Sequence, residues 1–250
     1  MKKLLIVLAA VIVSAAAVSA QDREISLDRI EDLNKREISK SGSNVRVSLS
    51  LAFPMQFGWS VLSHLNYKGD WAGYASEGML DTRTGGNFVY GLEMAGVHFK
   101  SANGPLHVSL GLRWTFMDFT FSHPEYTIRP VGGDSFDFIP IKTENPNYDY
   151  NKSKVHATYF GIPLRASLHF GRAAVFAGAS AELLTGGYAK YKRPDNRMQI
   201  KEVFHPFRAT VEAGFNYGLL GFYVQYALTP LFKQTLSDAN TFTFGLVLGL

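Results

Sequence analysis

The chain has 250 residues, 14 % of them aromatic with Phe and Tyr dominant, and no cysteine. The missing cysteines exclude disulfides, thiolate metal sites and thiol catalysis. Lys and Arg outnumber Asp and Glu by 25 to 21, yet no run of them would hold the phosphates of a nucleic acid, so no nucleic-acid partner is expected.

The first twenty residues read as a secretory signal peptide. Met1-Lys2-Lys3 is a positive n-region, Leu4 to Val13 an apolar h-region, and Val18-Ser19-Ala20 places small residues before a cut at Gln21. The apolar run is short for a membrane span, and no positive cluster follows it. No cysteine follows it either, which excludes lipoprotein processing. Cleavage removes two lysines and no acid, so 23 cations face 21 anions and the net charge is 23 − 21 = +2. Residues 21–44 are polar and read as a periplasmic lead-in. Ile25, Leu27, Ile30 and Leu33 give it at most one weak helical stripe.

From residue 45 onward the period is two. Val45, Val47, Leu49, Leu51 and Phe53 are apolar, and Arg46, Ser48, Ser50 and Ala52 between them are small or charged. That is a β-strand with two unlike faces. The pattern returns near Phe88–Phe99, Leu106–Phe116, Val155–Phe170, Ala173–Leu184, Phe207–Tyr217, Phe222–Thr229 and Phe242–Leu250. The connections alternate. Asn103-Gly104, Gly171-Arg172 and Gly218 to Gly221 are tight. The stretches 62–82, 122–154, 188–205 and 231–240 are long. Short turns on one end and long loops on the other are the habit of outer-membrane barrels. With eight strands both termini fall on the periplasmic side. Pro163 cannot donate to a ladder, and a bulge is expected near Gly161 to Pro163.

Period two alone does not say whether the apolar face meets lipid or a protein core. The opposite face helps to decide. Its charged members are Arg46, Glu93, Arg113, Arg165, Glu182, Arg208 and Glu212, without lysine or aspartate, among Gly, Ala, Ser and Thr. A water-facing sheet would use lysine freely. Arginines and glutamates among small residues suit a narrow lumen in which charges must pair. The expected fold is all-β: a closed, antiparallel, eight-stranded, transmembrane up-and-down barrel over residues 45–250, its interior filled by side chains.

Three segments carry a family likeness: Tyr148-Asp149-Tyr150 with Lys152-Ser153-Lys154, Thr158-Tyr159 and Ile162-Pro163-Leu164; Tyr226 with Leu228-Thr229-Pro230-Leu231-Phe232; and Phe242-Thr243-Phe244-Gly245-Leu246. With them the chain resembles the PorT-like outer-membrane β-barrel proteins of Gram-negative bacteria, which share their architecture with OmpX and the OmpA barrel. The resemblance implies the fold and a cell-surface location, and it carries no catalytic residue set. Leu250 departs from the aromatic residue that often ends such barrels, but the alternating last strand still suits the insertion machinery.

Catalytic and metal chemistry find little support. His107 with Ser109 and Ser167 with His169 have the spacing of a base and a hydroxyl on one strand face. Both pairs face the lumen beside short turns, away from an outer-leaflet lipid A substrate. His123 with Glu125, and Asp134 with Asp137, are loop groups whose spacing matches no calcium loop. No enzyme activity, cofactor or metal is expected. Expected partners are outer-membrane lipid, lipopolysaccharide and the insertion machinery. The loop aromatics Trp59, Tyr67, Trp71, Tyr74, Tyr126, Phe136 and Phe138 are candidates for an extracellular interaction surface, and equally for an interface girdle or a packed loop cap. The expected role is structural or adhesive. The alternatives are a narrow gated channel or secretion component, and then a lipid A-modifying enzyme.

Overall fold

A two-faced strand leaves a row of unpaired N–H and C=O groups at any sheet edge, and closing the sheet on itself removes that edge. The computed structural model describes residues 37–38, 45–50, 54–83, 85–101, 104–133, 135–149 and 151–249. The stretches read as a signal peptide and, apart from 37–38, as a lead-in lie outside them. The strands in chain order are β1 (Glu37–Ile38), β2 (Val45–Ser50), β3 (Met55–Ser63), β4 (Phe88–Ser101), β5 (Leu106–Thr120), β6 (Tyr126–Gly132), β7 (Ser135–Pro140), β8 (Lys152–Phe170), β9 (Ala173–Lys192), β10 (Asn196–Gln199), β11 (Phe207–Tyr217), β12 (Leu220–Ala227) and β13 (Asn240–Leu248).

Eight antiparallel strands form a closed barrel. β2 and β3 together make the first, and both pair with β4. The ring runs β3, β4, β5, β8, β9, β11, β12, β13, and it closes where β13 pairs with β3 from Asn240 opposite Ser63 to Leu248 opposite Met55. β1 adds two residues beside β2. The short connections are the two-residue turns Gly171-Arg172 and Gly218-Leu219, together with the link from Ser101 to Leu106. Gly171 and Gly218 have φ of 66° and 62°, where a side chain would be strained.

Each barrel strand alternates between a buried and an exposed face, and the polarity is inverted relative to a water-soluble domain. Arg113 is 1 % exposed and Glu182 is 0 % exposed, whereas Phe222 and Phe170 are each 62 % exposed. The outward apolar positions run about ten residues along β5 (Leu106 to Phe116), β8 (Phe160 to Phe170) and β9 (Ala173 to Leu183). On strands tilted about 40° that span is roughly 25 Å, the height of a barrel's lipid-facing band.

Three expectations change in detail. The first strand does not end at Phe53: its pairing with β4 resumes after Pro54 and continues to Ser63. No bulge forms at Pro163. The β5–β8 ladder omits the pairs facing Ile162 and Pro163, then resumes in the same register from Arg113 opposite Gly161. On the other side Pro163 lies in register with Ser180. The bulges fall elsewhere, between Glu93 and Ala95 on β4 and between Thr158 and Tyr159 against β9, where Thr185 is the extra residue. Finally, the second and third of the stretches read as long connections contain strand and helix. The second contains the β6–β7 hairpin and a one-turn helix, Ile141–Glu144, and the third begins with β9 and β10 extending as a ribbon.

The loops pack on one another over the long-loop end. Trp71 is fully buried, donates Nε1–H to the Phe136 carbonyl at 2.9 Å, and meets the rings of Phe138 and Phe232 at 4.9 and 5.3 Å. Phe204 stacks on Phe232, and Lys68 N–H donates to the Leu236 carbonyl at 2.8 Å. One tryptophan therefore ties the first, second and fourth long loops together. Trp71→Ala is expected to cost about 3–5 kcal/mol of cap stability. Limited trypsin digestion reads this as faster cleavage within residues 122–151, while the barrel keeps its unboiled gel mobility.

Candidate functional site: the charged lumen and the loop cap

Inside a barrel of eight strands there is room for side chains and little else. A buried charge there must find an opposite charge and fill its remaining hydrogen-bond positions. Six of the seven positions expected to face inward are ion-paired in one network, in which Arg113 Nε and Arg208 Nε are the buried guanidinium nitrogens without a hydrogen-bond partner. Glu182 on β9 lies between two arginines: Arg113 Nη2 donates to Oε1 at 3.0 Å and Arg208 Nη1 to Oε2 at 2.7 Å. Thr115 and Ser180 hydroxyls add hydrogen bonds to Oε1 at 3.3 and 2.9 Å. Glu212 on β11 takes Arg113 Nη1 at 3.0 Å on one oxygen and Arg165 Nε on the other. Arg165 Nη1 reaches on to Glu93 at 2.7 Å.

Three guanidiniums thus face three carboxylates, and the group is neutral. Neutral amides bridge the remaining strands. Gln56 on β3 accepts from Arg113 at 3.0 Å, and Gln225 on β12 accepts from Arg208 at 3.0 Å. Seven of the eight barrel strands contribute a member. On the eighth, β13, Thr243 donates to Ser60 at 3.0 Å. Glycines make the room: a Cβ on Gly111 would stand 2.4 Å from Glu93 Oε1, and one on Gly161 would stand 2.5 Å from Glu182 Cγ. Arg46, the seventh position, is exposed at the short-turn end, in register with Lys100.

The base–hydroxyl pairs are otherwise arranged. His107 stacks on His169 with ring centroids 3.9 Å apart, and Ser167 Oγ lies 3.5 Å from the His107 carbonyl. In the loops His123 Nδ1 lies 3.3 Å from Glu125. Asp137 accepts from the Phe138 N–H at 2.8 Å, and Asp134 lies outside the described residues. Among the described residues, no group of three or more His, Asp or Glu side chains could hold a metal ion.

The seven aromatic candidates separate into two groups. Trp59 points out from β3, 43 % exposed, beside Phe88 and Phe244 in the outward aromatic band. Trp71, Phe136 and Phe138 are buried in the cap, and Tyr67, Tyr74 and Tyr126 pack partly buried against it. Tyr67 Oη accepts the Leu80 N–H at 2.7 Å. A hydrogen bond to Asp137, then burial and nearby negative charge, push the Tyr74 phenol up to about 12. These rings hold the loops to each other and do not present one exposed surface.

Two features were missed in the sequence. Gln56 belongs to the network, and the signal for it was present: Met55, Phe57, Trp59 and Val61 alternate with Gln56, Gly58 and Ser60 beyond Pro54. Lysines also recur at period two, Lys152 with Lys154 and Lys190 with Lys192, in stretches read as loop.

No family model matches the chain, and no curated protein matches it.

Removing one member of this network leaves buried charges unpaired. Glu182→Ala strips both Arg113 and Arg208 of a carboxylate, and a loss of about 3–5 kcal/mol is expected. Urea titration of the refolded protein, read by gel mobility without boiling, checks it. A midpoint unchanged from the parent chain would mean that the network contributes no net stability.

Proposed function

We propose that this chain is an integral outer-membrane β-barrel with a side-chain-filled lumen. Its role on this reading is structural or surface-interacting, at the capped, long-loop end. The observation that carries it is the inverted polarity. Arginines and glutamates are sealed inside, while a continuous band of Phe, Leu, Val, Trp and Tyr covers the outside. Water would penalise that outer band, and a bilayer favours it. The signal-like residues 1–20 support export, and the common end shared by the start of β2 and the end of β13 supports both barrel termini being periplasmic. The segments around Ile162-Pro163-Leu164 and Phe242-Thr243-Phe244 support a place among the PorT-like barrels.

The lumen argues against the channel reading. The Arg113, Glu182, Glu212 and Arg165 side chains cross it with direct ion pairs, and the loop cap covers the long-loop end. Reconstituted in planar bilayers, the protein is expected to show no porin-scale conductance steps, while liposome-inserted protein resists carbonate extraction. Stable porin-scale openings would contradict the filled lumen, and complete release by carbonate would contradict insertion.

A further inference from the structure

β8 and β9 are the longest strands, with 19 and 20 residues. They continue beyond the apolar band as a ribbon, to which β10 adds a third strand. On the inner side of the ribbon Val155, Ala157, Ala189 and Tyr191 are buried. The outer side carries cations in rows. Lys152 stands opposite Lys192, and Lys154 opposite Lys190. Lys190 in turn stands opposite Arg197 on β10. Like charges directly opposite each other destabilise a sheet. Here two such rows lie side by side, and the local anions do not neutralise them.

The anions paired with these rows among the described residues are Asp118 and Asp195. Asp118 accepts from Lys154 Nζ at 2.8 Å and lies 2.7 Å from His156 Nδ1. Asp195 pairs with Lys190 at 3.1 Å. Lys152, Lys192 and Arg197 have no ion pair among the described residues. Partial burial, then the charges of Lys154, Lys192 and Arg83, hold the Lys152 ammonium below the usual lysine range, with Asp118 opposing.

The base of the patch is built. His156 Nε2 lies 2.9 Å from Thr158 Oγ1, Tyr188 stacks on the imidazole at 4.6 Å, and the Arg197 guanidinium covers the Tyr188 ring at 3.7 Å. Immediately below are the outward rings of Trp114, Phe116 and Phe160, the first and last 4.9 Å apart. Among the described residues, the β3–β13 side of the barrel lacks this arrangement. There Ser63 faces Asn240, and Lys68 is paired with Asp238 at 2.5 Å.

We propose that the outer face of the β8–β9–β10 ribbon binds the phosphate-bearing headgroup of a lipid in the leaflet next to the loop cap. The site rests on the membrane reading above, which places the aromatic band at the bilayer boundary and these cations at headgroup height. Arg197, Lys190 and Lys154 span two inter-strand steps, about 10 Å, and the second row lies about 7 Å further along the strands. That footprint suits a headgroup carrying two phosphates, each bridging cations that otherwise repel.

The test uses the full mature chain, refolded in zwitterionic micelles, with fluorescent diphosphoryl lipid A as the probe and anisotropy as the readout. Replacing Lys152, Lys192 and Arg197 together by Gln is expected to weaken binding roughly a hundredfold, from about fivefold per cation. Lys68→Gln on the β3–β13 side is expected to leave it unchanged. Affinity unchanged in the triple variant, or lowered equally by Lys68→Gln, overturns the site. Competition by inorganic phosphate at concentrations matching the lipid also overturns it, since the ligand is then the free anion. The single Lys152→Gln variant reports the same direction if the triple variant does not fold. A heat-dependent gel shift in liposomes scores the membrane reading separately. Protein that shows the shift but not the lipid preference refutes the site alone.

Discussion

The structure depends on Glu182 holding Arg113 and Arg208 within a closed ring of strands. Charge in so narrow a space is tolerable only if it is paired and hydrogen-bonded. Every other feature of the lumen follows from meeting that condition. Arg113 also binds Glu212, Glu212 binds Arg165, and Arg165 binds Glu93, so three cations and three anions close the account across the barrel. Gly111 and Gly161 stand beside the long side chains of Glu93 and Glu182, where a Cβ would collide with them. The network favours one register, since a one-residue slip of β4, β5, β8, β9 or β11 would carry its charge to the outside face.

With the lumen filled by the barrel's own side chains, the proposed function lies on the outside and at the long-loop end. The loops there are a second small core, with Trp71 at its centre, and their aromatic residues serve that core. What remains exposed and unusual is the cationic outer face of the ribbon. On the membrane reading proposed above, its position directly above Trp114, Phe116 and Phe160 would join two interactions with a bilayer, rings at the interface and cations at the headgroups.

Much of this was legible in the sequence because it is local. Period two marked the eight strands, and Gly171-Arg172 and Gly218 to Gly221 marked turns, with positive φ at Gly171 and Gly218. The choice of Arg and Glu over Lys and Asp marked the inward face. What was not legible depends on non-local partners. Pro54 reads as a strand end, yet β4 supplies partners on both sides of it. Pro163 reads as a bulge, yet the ladder simply omits bonds there and the extra residue is Thr185. The loop aromatics gave no sign of which would be buried, because Trp71 meets Phe136 and Phe232 only after four loops converge. The lysine rows were hidden because β8 and β9 run past the apolar band, where alternation of hydrophobicity no longer marks a strand.

The central claim is that the apolar face meets lipid and the charged face does not. The absence of native cysteine makes it directly measurable. Single cysteines at Leu183 and Phe222, which face outward, and at Ser180 and Thr210, which face the lumen, would be labelled with a fluorophore in liposome-inserted protein. Lipid-borne quenchers are expected to quench the first pair strongly and the second pair little. Equal quenching at all four positions, or outward positions quenched only by a water-soluble agent, would contradict the account.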